Sequence, residues 1–331
     1  MTAFDARHRS LRYTGRFDLS DPKKPRAWMP GAYVTLRFQG SAVELAVRDE
    51  LLWGKSHNYV AVQIDSEPAR RIKLTDAVNT LKFDGLSGGA HTLTLAKSTE
   101  ANIGWIEFLG GTCERLLPPP RAPKRKLEFL GDSITTGTGS DTSVFPCGKG
   151  EWYDQHNAYE SYGPRTARAL NASWQLTAVA GIGLIHSCCD MKIVLPQVFD
   201  RVHPALDAAP WDFSRCQPDA LTVCLGQNDG MGSPEKFVEA YASFLERLRV
   251  VYPKTYLVCL TSPMADPRLA QFQKERLPKI VEIRQQTGDR RVNYFAFSRS
   301  YNAGCGGHPD LAQHAQIAGE LTAFLKTTLR W

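Results

Sequence analysis

The hydrophobic pattern of this chain changes period once, and a run of prolines marks the change. Up to about residue 115, apolar and polar residues alternate in a period of two over residues 12–17, 33–38, 43–47, 59–64, 91–95 and 105–109. Gly, Asp, Asn and Ser separate these runs, and no helical pattern intervenes. Short alternating strands with regular turn signals fold as an antiparallel β-sandwich, here expected to be jelly-roll-like. Leu117-Pro118-Pro119-Pro120-Arg121-Ala122-Pro123-Lys124 follows. Proline removes backbone donors and favours extended chain, so this stretch reads as a linker. Beyond it, buried-strand runs at 127–130, 175–180, 220–225, 255–260 and 292–297 alternate with helical stretches at 159–170, 234–252, 268–286 and 309–329. Strand–helix alternation implies a parallel sheet with helices on both faces, a three-layer α/β/α domain. The expected organisation is an accessory sandwich over 1–115, a linker over 116–125 and an α/β domain over 126–331. The length of 331 residues, more than one core usually serves, agrees.

Within the helix from Pro234, Ser233 is a plausible cap, and Phe237, Tyr241, Phe244, Leu245 and Leu248 recur at helical spacing as core. The chain is 43% hydrophobic and 22% charged, too apolar for disorder and without a run long enough to span a bilayer. The net charge of +6 gathers visibly at Lys23-Lys24-Pro25-Arg26 and Lys124-Arg125-Lys126. Both clusters are short and lack interleaved aromatics, so they read as solvated loops and no nucleic-acid partner is expected. The first eight residues hold no apolar stretch, so no secretory signal is read and a cytoplasmic location is expected. Eight cysteines show no C-x-x-C and no Cys/His ligand set, so no zinc site is expected. Cys224 and Cys259 lie in apolar strands and read as buried thiols. Cys147, Cys188, Cys189 and Cys305 fall near the candidate site, and a disulfide among them is left open.

Chemistry concentrates at four strand ends or loops. Gly131-Asp132-Ser133 follows the apolar run 127–130, where a tight turn holds one hydroxyl at the carboxyl edge of a sheet. Such a serine is either a nucleophile or part of an ordinary helix cap. Gly226-Gln227-Asn228-Asp229 ends another strand. Asn228 can donate to an oxyanion, or the segment is an Asn-Asp turn. Gly181, in Val179-Ala180-Gly181-Ile182-Gly183, can offer a backbone N–H to a cleft, or sit in a plain glycine loop. His308 follows the glycine-rich stretch 304–307 and precedes Pro309, either as a base or as a decorative loop histidine.

Together these segments strongly resemble the SGNH hydrolase superfamily. Gly131-Asp132-Ser133 looks like its first block, Gly181 its second, Gly226-Gln227-Asn228-Asp229 its third and His308-Pro309 its last. A preceding sandwich, Arg16-Phe17-Asp18 near the start and Tyr159-Glu160-Ser161-Tyr162-Gly163 after the serine are similar to carbohydrate esterase family 2, whose members remove acetyl groups from plant polysaccharides. The resemblance implies Ser133 as nucleophile and His308 as base. It also implies an oxyanion hole from the Ser133 and Gly181 N–H groups and the Asn228 amide, with Asp132, Gly226 and Asp229 in support. No metal or cofactor is needed. The expected partner is an acetylated carbohydrate of xylan or mannan type, with no membrane partner. The resembled family is often secreted, which stands against the cytoplasmic expectation.

One departure from the superfamily pattern is visible. An Asp usually stands three residues before the histidine. Here that residue is Cys305, and no acid lies between Asp289 and His308. A Ser-His dyad is therefore expected, with His308 oriented by a backbone carbonyl or another polar group. Asp310 is expected within the first helical turn. Trp152, Tyr153, His156 and Asn157, together with Tyr159, are dense in aromatic and polar groups and suit a sugar ring, or else pack between domains. Trp211 and Met231 are placed on loops that can border the cleft. The Asn171-Ala172-Ser173 sequon has meaning only on a secretory route. Two rivals stand beside the deacetylase: a lipid or thioester hydrolase on this scaffold, and a carbohydrate-binding protein with a decayed esterase domain. The sandwich is expected to buttress the second domain rather than bind glycan.

Overall fold

A computed structural model describes residues 1–331. The first unit is antiparallel β: β1 (Thr2–Asp5), β2 (Arg12–Thr14), β3 (Arg26–Ala27), β4 (Tyr33–Asp49), β5 (Tyr59–Ile64), β6 (Arg70–Lys73), β7 (Val78–Phe83), β8 (Ala90–Lys97) and β9 (Ile106–Leu117). The runs expected at 33–38 and 43–47 are halves of one strand, β4. It pairs with β8 over its first half and with β7 over its second, while β9 follows it through both. Register shifts between Gln39 and Val43 and between Ala46 and Val47 bend the ladder. The nine strands thus form one continuous sheet around a single apolar cluster that includes Leu36, Phe38, Leu45, Val60, Leu93 and Phe108. β7 alternates exposed and buried residues without a break, so the period-two rule applies there too.

The second unit holds β10 (Arg125–Gly131), β11 (Ala172–Ala178), β12 (Ala220–Cys224), β13 (Tyr256–Leu260) and β14 (Val292–Phe295), with α1 (Ser133–Thr136), α2 (Tyr162–Ala169), α3 (Leu195–Val198), α4 (Pro234–Val251), α5 (Pro267–Gln286) and α6 (Leu311–Leu329). All five strands are parallel, in the order β11-β10-β12-β13-β14. One face of the sheet packs on α4 and α5, and the other on α2 and α6. The helix expected over 159–170 is interrupted, because Ser161 is extended and separates a short 3₁₀ turn from α2. Ser233 occupies the N-cap position of α4 but makes no side-chain capping bond.

The strand order decides where chemistry belongs. β10 is first in sequence yet lies between β11 and β12, so connections leave it on both sides. A crevice opens at such a switch point, outside the carboxyl ends of the strands. The turns after β10, β11 and β12 carry Ser133, Gly181 and Asn228, and all three flank it.

The two units are joined by buried polar contacts. Arg16, from the first unit, donates to the Phe199 and Arg201 carbonyls and to Glu128 on β10. Tyr59 and Lys73 both donate to the Asp154 carboxylate, and the Trp174 indole donates to the Gly31 carbonyl.

Candidate active site

β10 delivers Ser133 to the sheet edge as the first residue of α1. Its predecessor Asp132 caps that helix by accepting from the Ile134 N–H at 3.1 Å. Both readings of the turn therefore apply, to different residues: Asp132 caps, and Ser133 faces the crevice. A first-turn N–H has no intrahelical acceptor, so the Ser133 amide is free for a ligand. Burial pushes the Asp132 carboxyl up to about 7, and the nearby Asp229 charge adds to the rise.

His308 Nε2 lies 2.8 Å from Ser133 Oγ. Its Nδ1 lies 3.2 Å from the Cys305 carbonyl oxygen. A carbonyl only accepts, so Nδ1 carries the proton and the Nε2 lone pair faces the serine hydroxyl. Burial holds the His308 pKa below the ordinary imidazole value, and the Cys305 and Gly306 backbone contacts oppose that shift. A carbonyl thus does the orienting task usually given to an acid. Asp310 does not share in it. It is the N-cap of α6, accepting from the Gln313 N–H at 2.7 Å, rather than a residue within the first turn.

Gly181 follows β11 with φ +83°, and its N–H has no protein acceptor. A Cβ there would lie 2.8 Å from Cys188 Sγ, so both conformation and space demand glycine. The Asn228 amide donates to the Ile182 carbonyl at 2.9 Å, with a long 3.5 Å contact to Asp132. The carbonyl fixes which end of the amide carries hydrogen, and the second N–H is bound only weakly. Asp229 works behind the site: one carboxylate oxygen accepts from the Leu184, Ile185 and His186 amides, which shapes the loop after Gly181. Gly226 lies two residues after β12, where an added Cβ would strike the Gln273 amide at 2.6 Å.

Ser133, Gly181, Asn228 and His308 line one cleft of about 500 Å³. Trp152, 55% exposed, forms part of its wall. Its three companions do not. Tyr153, His156 and Asn157 are buried, so they offer no surface to a sugar. Tyr153 accepts from the His57 N–H, and Asn157 donates to Asp141 and accepts from Ser98. His156 packs edge-on to Trp152 and is held neutral by burial. These three side chains pack between the two units, and the local sequence could not separate that role from binding. Tyr159 is likewise buried, donating to Gln63. Trp211 is buried under Arg16 and Arg215, and Met231 packs on the α4–α5 core, both away from the cleft.

Cys188 and Cys189, expected near the site with a disulfide left open, line the cleft as a bonded pair, whereas sequence reasoning missed Asn102 from the first unit, Met191 and Met264. It also missed Glu100, fully buried, which accepts from the Ala180 N–H at 3.3 Å, one residue before Gly181. Burial drives the Glu100 carboxyl up and the neighbouring Lys97 amine down. Nothing in the local sequence marks Glu100, since charged residues end other strands of the same sheet, as Asp49 and Lys73 do. No group of three or more His, Cys, Asp or Glu side chains is set to hold a metal ion, and no helix is long and apolar enough to cross a membrane.

Comparison with known proteins points one way. Residues 13–120 match the family model for the carbohydrate esterase 2 N-terminal region, and residues 129–318 match that of the GDSL-like lipase/acylhydrolase family. The chain is 32% identical to the cellulase/esterase CelE of Acetivibrio thermocellus over 96% of its own length, and spans 39% of that longer protein. It is 29% identical to an acetylxylan esterase/glucomannan deacetylase of Cellvibrio japonicus, covering 97% of this chain and 89% of that protein. Among solved structures, a family two carbohydrate esterase from Clostridium thermocellum in complex with cellohexaose superposes with a TM-score of 0.89 at 30% identity, covering 97% of this chain and 99% of that one. A family two carbohydrate esterase from Cellvibrio japonicus gives 0.88 at 27%, covering 100% and 98%.

Proposed function

Because this chain belongs to carbohydrate esterase family 2, we propose that its cleft removes O-acetyl groups from a xylan- or mannan-type carbohydrate through an acyl-enzyme on Ser133. The observation that carries the reading is the 2.8 Å contact between Ser133 Oγ and His308 Nε2 at the mouth of an open cleft. Ser133 Oγ attacks the ester carbonyl carbon as its proton passes to Nε2. The negative charge that develops on the carbonyl oxygen meets the Ser133 and Gly181 N–H groups and the Asn228 amide. His308 returns the proton to the departing sugar oxygen, leaving acetyl-Ser133. Water, deprotonated by the same nitrogen, releases acetate.

Trp152 offers an apolar face on which a sugar ring can stack. In this reading residues 126–331 carry the chemistry, residues 116–125 connect, and residues 1–115 support the cleft wall through Asn102 and Glu100. The test is acetate release from acetylated xylan and acetylated glucomannan by wild type and Ser133→Ala. The variant is expected to lose activity on both, and full activity in it would overturn the mechanism. Faster turnover of long-chain than of acetyl p-nitrophenyl esters would instead favour a lipid substrate.

A further inference from the structure

Cys305 occupies the position where the superfamily pattern has an acid, and its side chain is joined to Cys147 by a disulfide. The same residue supplies the carbonyl that holds His308 Nδ1. We propose that the Cys147–Cys305 disulfide is the positioning device that replaces the missing acid, and that it sets the turnover of the esterase by clamping the carbonyl that orients His308. This rests on the Ser133–His308 reading above.

The histidine loop is poorly built to hold itself. Gly304, Gly306 and Gly307 surround Cys305, and glycine gives up more conformational freedom on ordering than any other residue. Gly306 and Gly307 are exposed, so no packing restrains them. Short backbone bonds draw the loop together: Cys305 N–H donates to the Gly139 carbonyl and Gly304 N–H to that of His308. The His308 N–H also donates to the Cys305 carbonyl and the Ala303 N–H to Gln313, but the disulfide is the loop's only covalent cross-link.

The far end of that tie is itself anchored. Cys147 lies on an exposed loop whose Pro146 and Lys149 carbonyls accept from the buried Gln155 amide. Asp154, next to Gln155, accepts from the Glu151 N–H, Tyr59 and Lys73. A continuous path therefore runs from His308 through Cys305, Cys147 and Asp154 to strands β5 and β6 of the first unit. The brace spans 158 residues of sequence, so chain connectivity does little to maintain it once the bond opens. Opening it consumes two electrons and two protons from a dithiol, which leaves as its own cyclic disulfide, and yields two cysteine thiols.

The test uses full-length oxidised Cys147→Ala, which leaves Cys305, its carbonyl and the Cys188–Cys189 pair in place. With p-nitrophenyl acetate, kcat is expected to fall about tenfold, since small misplacements of a catalytic group carry penalties of that order or greater. KM should stay within about twofold, because substrate contacts are untouched. The Cys305 carbonyl favours protonated His308, so loosening it should move the acid limb of kcat/KM to lower pH. His156 and His314, the other imidazoles in electrostatic reach of His308, are buried and neutral and do not supply this limb. Dithiothreitol should lower wild-type kcat toward that of Cys147→Ala and leave kcat of Cys147→Ala itself unchanged, since only the Cys188–Cys189 pair remains for it to open there. Unchanged kcat and an unmoved acid limb in the variant would overturn the brace while leaving the esterase reading intact. Activity retained in Ser133→Ala would overturn the esterase reading itself. If Cys147→Ala is unfolded by circular dichroism, the same kinetics on wild type, with Cys147 and Cys305 shown by mass spectrometry to be reduced and Cys188–Cys189 intact, decide the matter by the same criteria.

Discussion

Replacing Arg16 by alanine removes the charge that the first unit inserts into the second. The side chain is 1% exposed, with its guanidinium stacked near Trp211 and Phe213. It donates to the Phe199 and Arg201 carbonyls and, at 3.2 Å, to Glu128. Glu128 is fully buried on β10, where Gln175, Thr177 and Tyr252 also donate to it. After Arg16→Ala the carboxylate keeps those three neutral donors and loses its only cation. Breaking a buried pair from one side costs about 3–5 kcal/mol, because the remaining charge stays desolvated. With an m-value of about 3 kcal/mol/M in urea, the unfolding midpoint should fall by about 1–1.7 M. Urea titration followed by tryptophan fluorescence reads this directly, since Trp211 lies against the Arg16 guanidinium. Arg16→Met combined with Glu128→Gln should be less destabilised than Arg16→Met alone, since neither partner is then left as an unpaired charge. A midpoint shift below about 0.3 M in Arg16→Ala, equivalent to about 1 kcal/mol, would refute the reasoning. The same logic predicts that residues 116–331 alone are insoluble, because truncation orphans Glu128.

Asn228→Ala should lower kcat by about 10²–10³, the usual loss for one oxyanion donor, with a smaller change in KM. Steady-state kinetics on an acetyl ester checks it. The acid limb of kcat/KM should lie below the ordinary imidazole value: burial depresses His308, so the base stays neutral and competent as pH falls, until the depressed pKa is crossed. The Asp132 carboxyl, lifted to about 7 by burial, can add a limb of its own, so an acid midpoint above the ordinary imidazole value in both wild type and Asp132→Asn would contradict this. Asp310→Ala should leave kcat nearly unchanged and cost about 1 kcal/mol of stability, as loss of a helix cap does. Thermal melting and kinetics together separate the two effects.

Much of the site was legible in the sequence because its parts are tied to strand ends. Ser133, Gly181 and Asn228 each follow an apolar run by one to three residues, so the hydrophobic pattern put them at strand ends, while their roles came from the resemblance. The absence of an acid before His308 was equally plain, and a backbone carbonyl was among the expected substitutes. Expectations for the binding surface fared differently. Trp152, Tyr153, His156 and Asn157 form one polar-aromatic stretch, yet only Trp152 faces the cleft. Alternation cannot sort residues on an irregular loop, where no repeating geometry links position to facing direction. β7 went unanticipated although its pattern is clean, whereas β3, two residues long, carries no period at all.

The amino-acid sequence by itself determined the two-part architecture, the parallel sheet and the order of the chemical segments along it. Those depend on local hydrophobic period and turn chemistry, which any short window contains. Only the tertiary structure decided which groups meet. Cys305 reaches Cys147 across 158 residues, Glu100 reaches Ala180 across the boundary between the units, and Arg16 finds Glu128 in the core. Such contacts arise from how packed elements close on one another, and burial then makes each of them matter, since a polar group without water must find its partner in the protein.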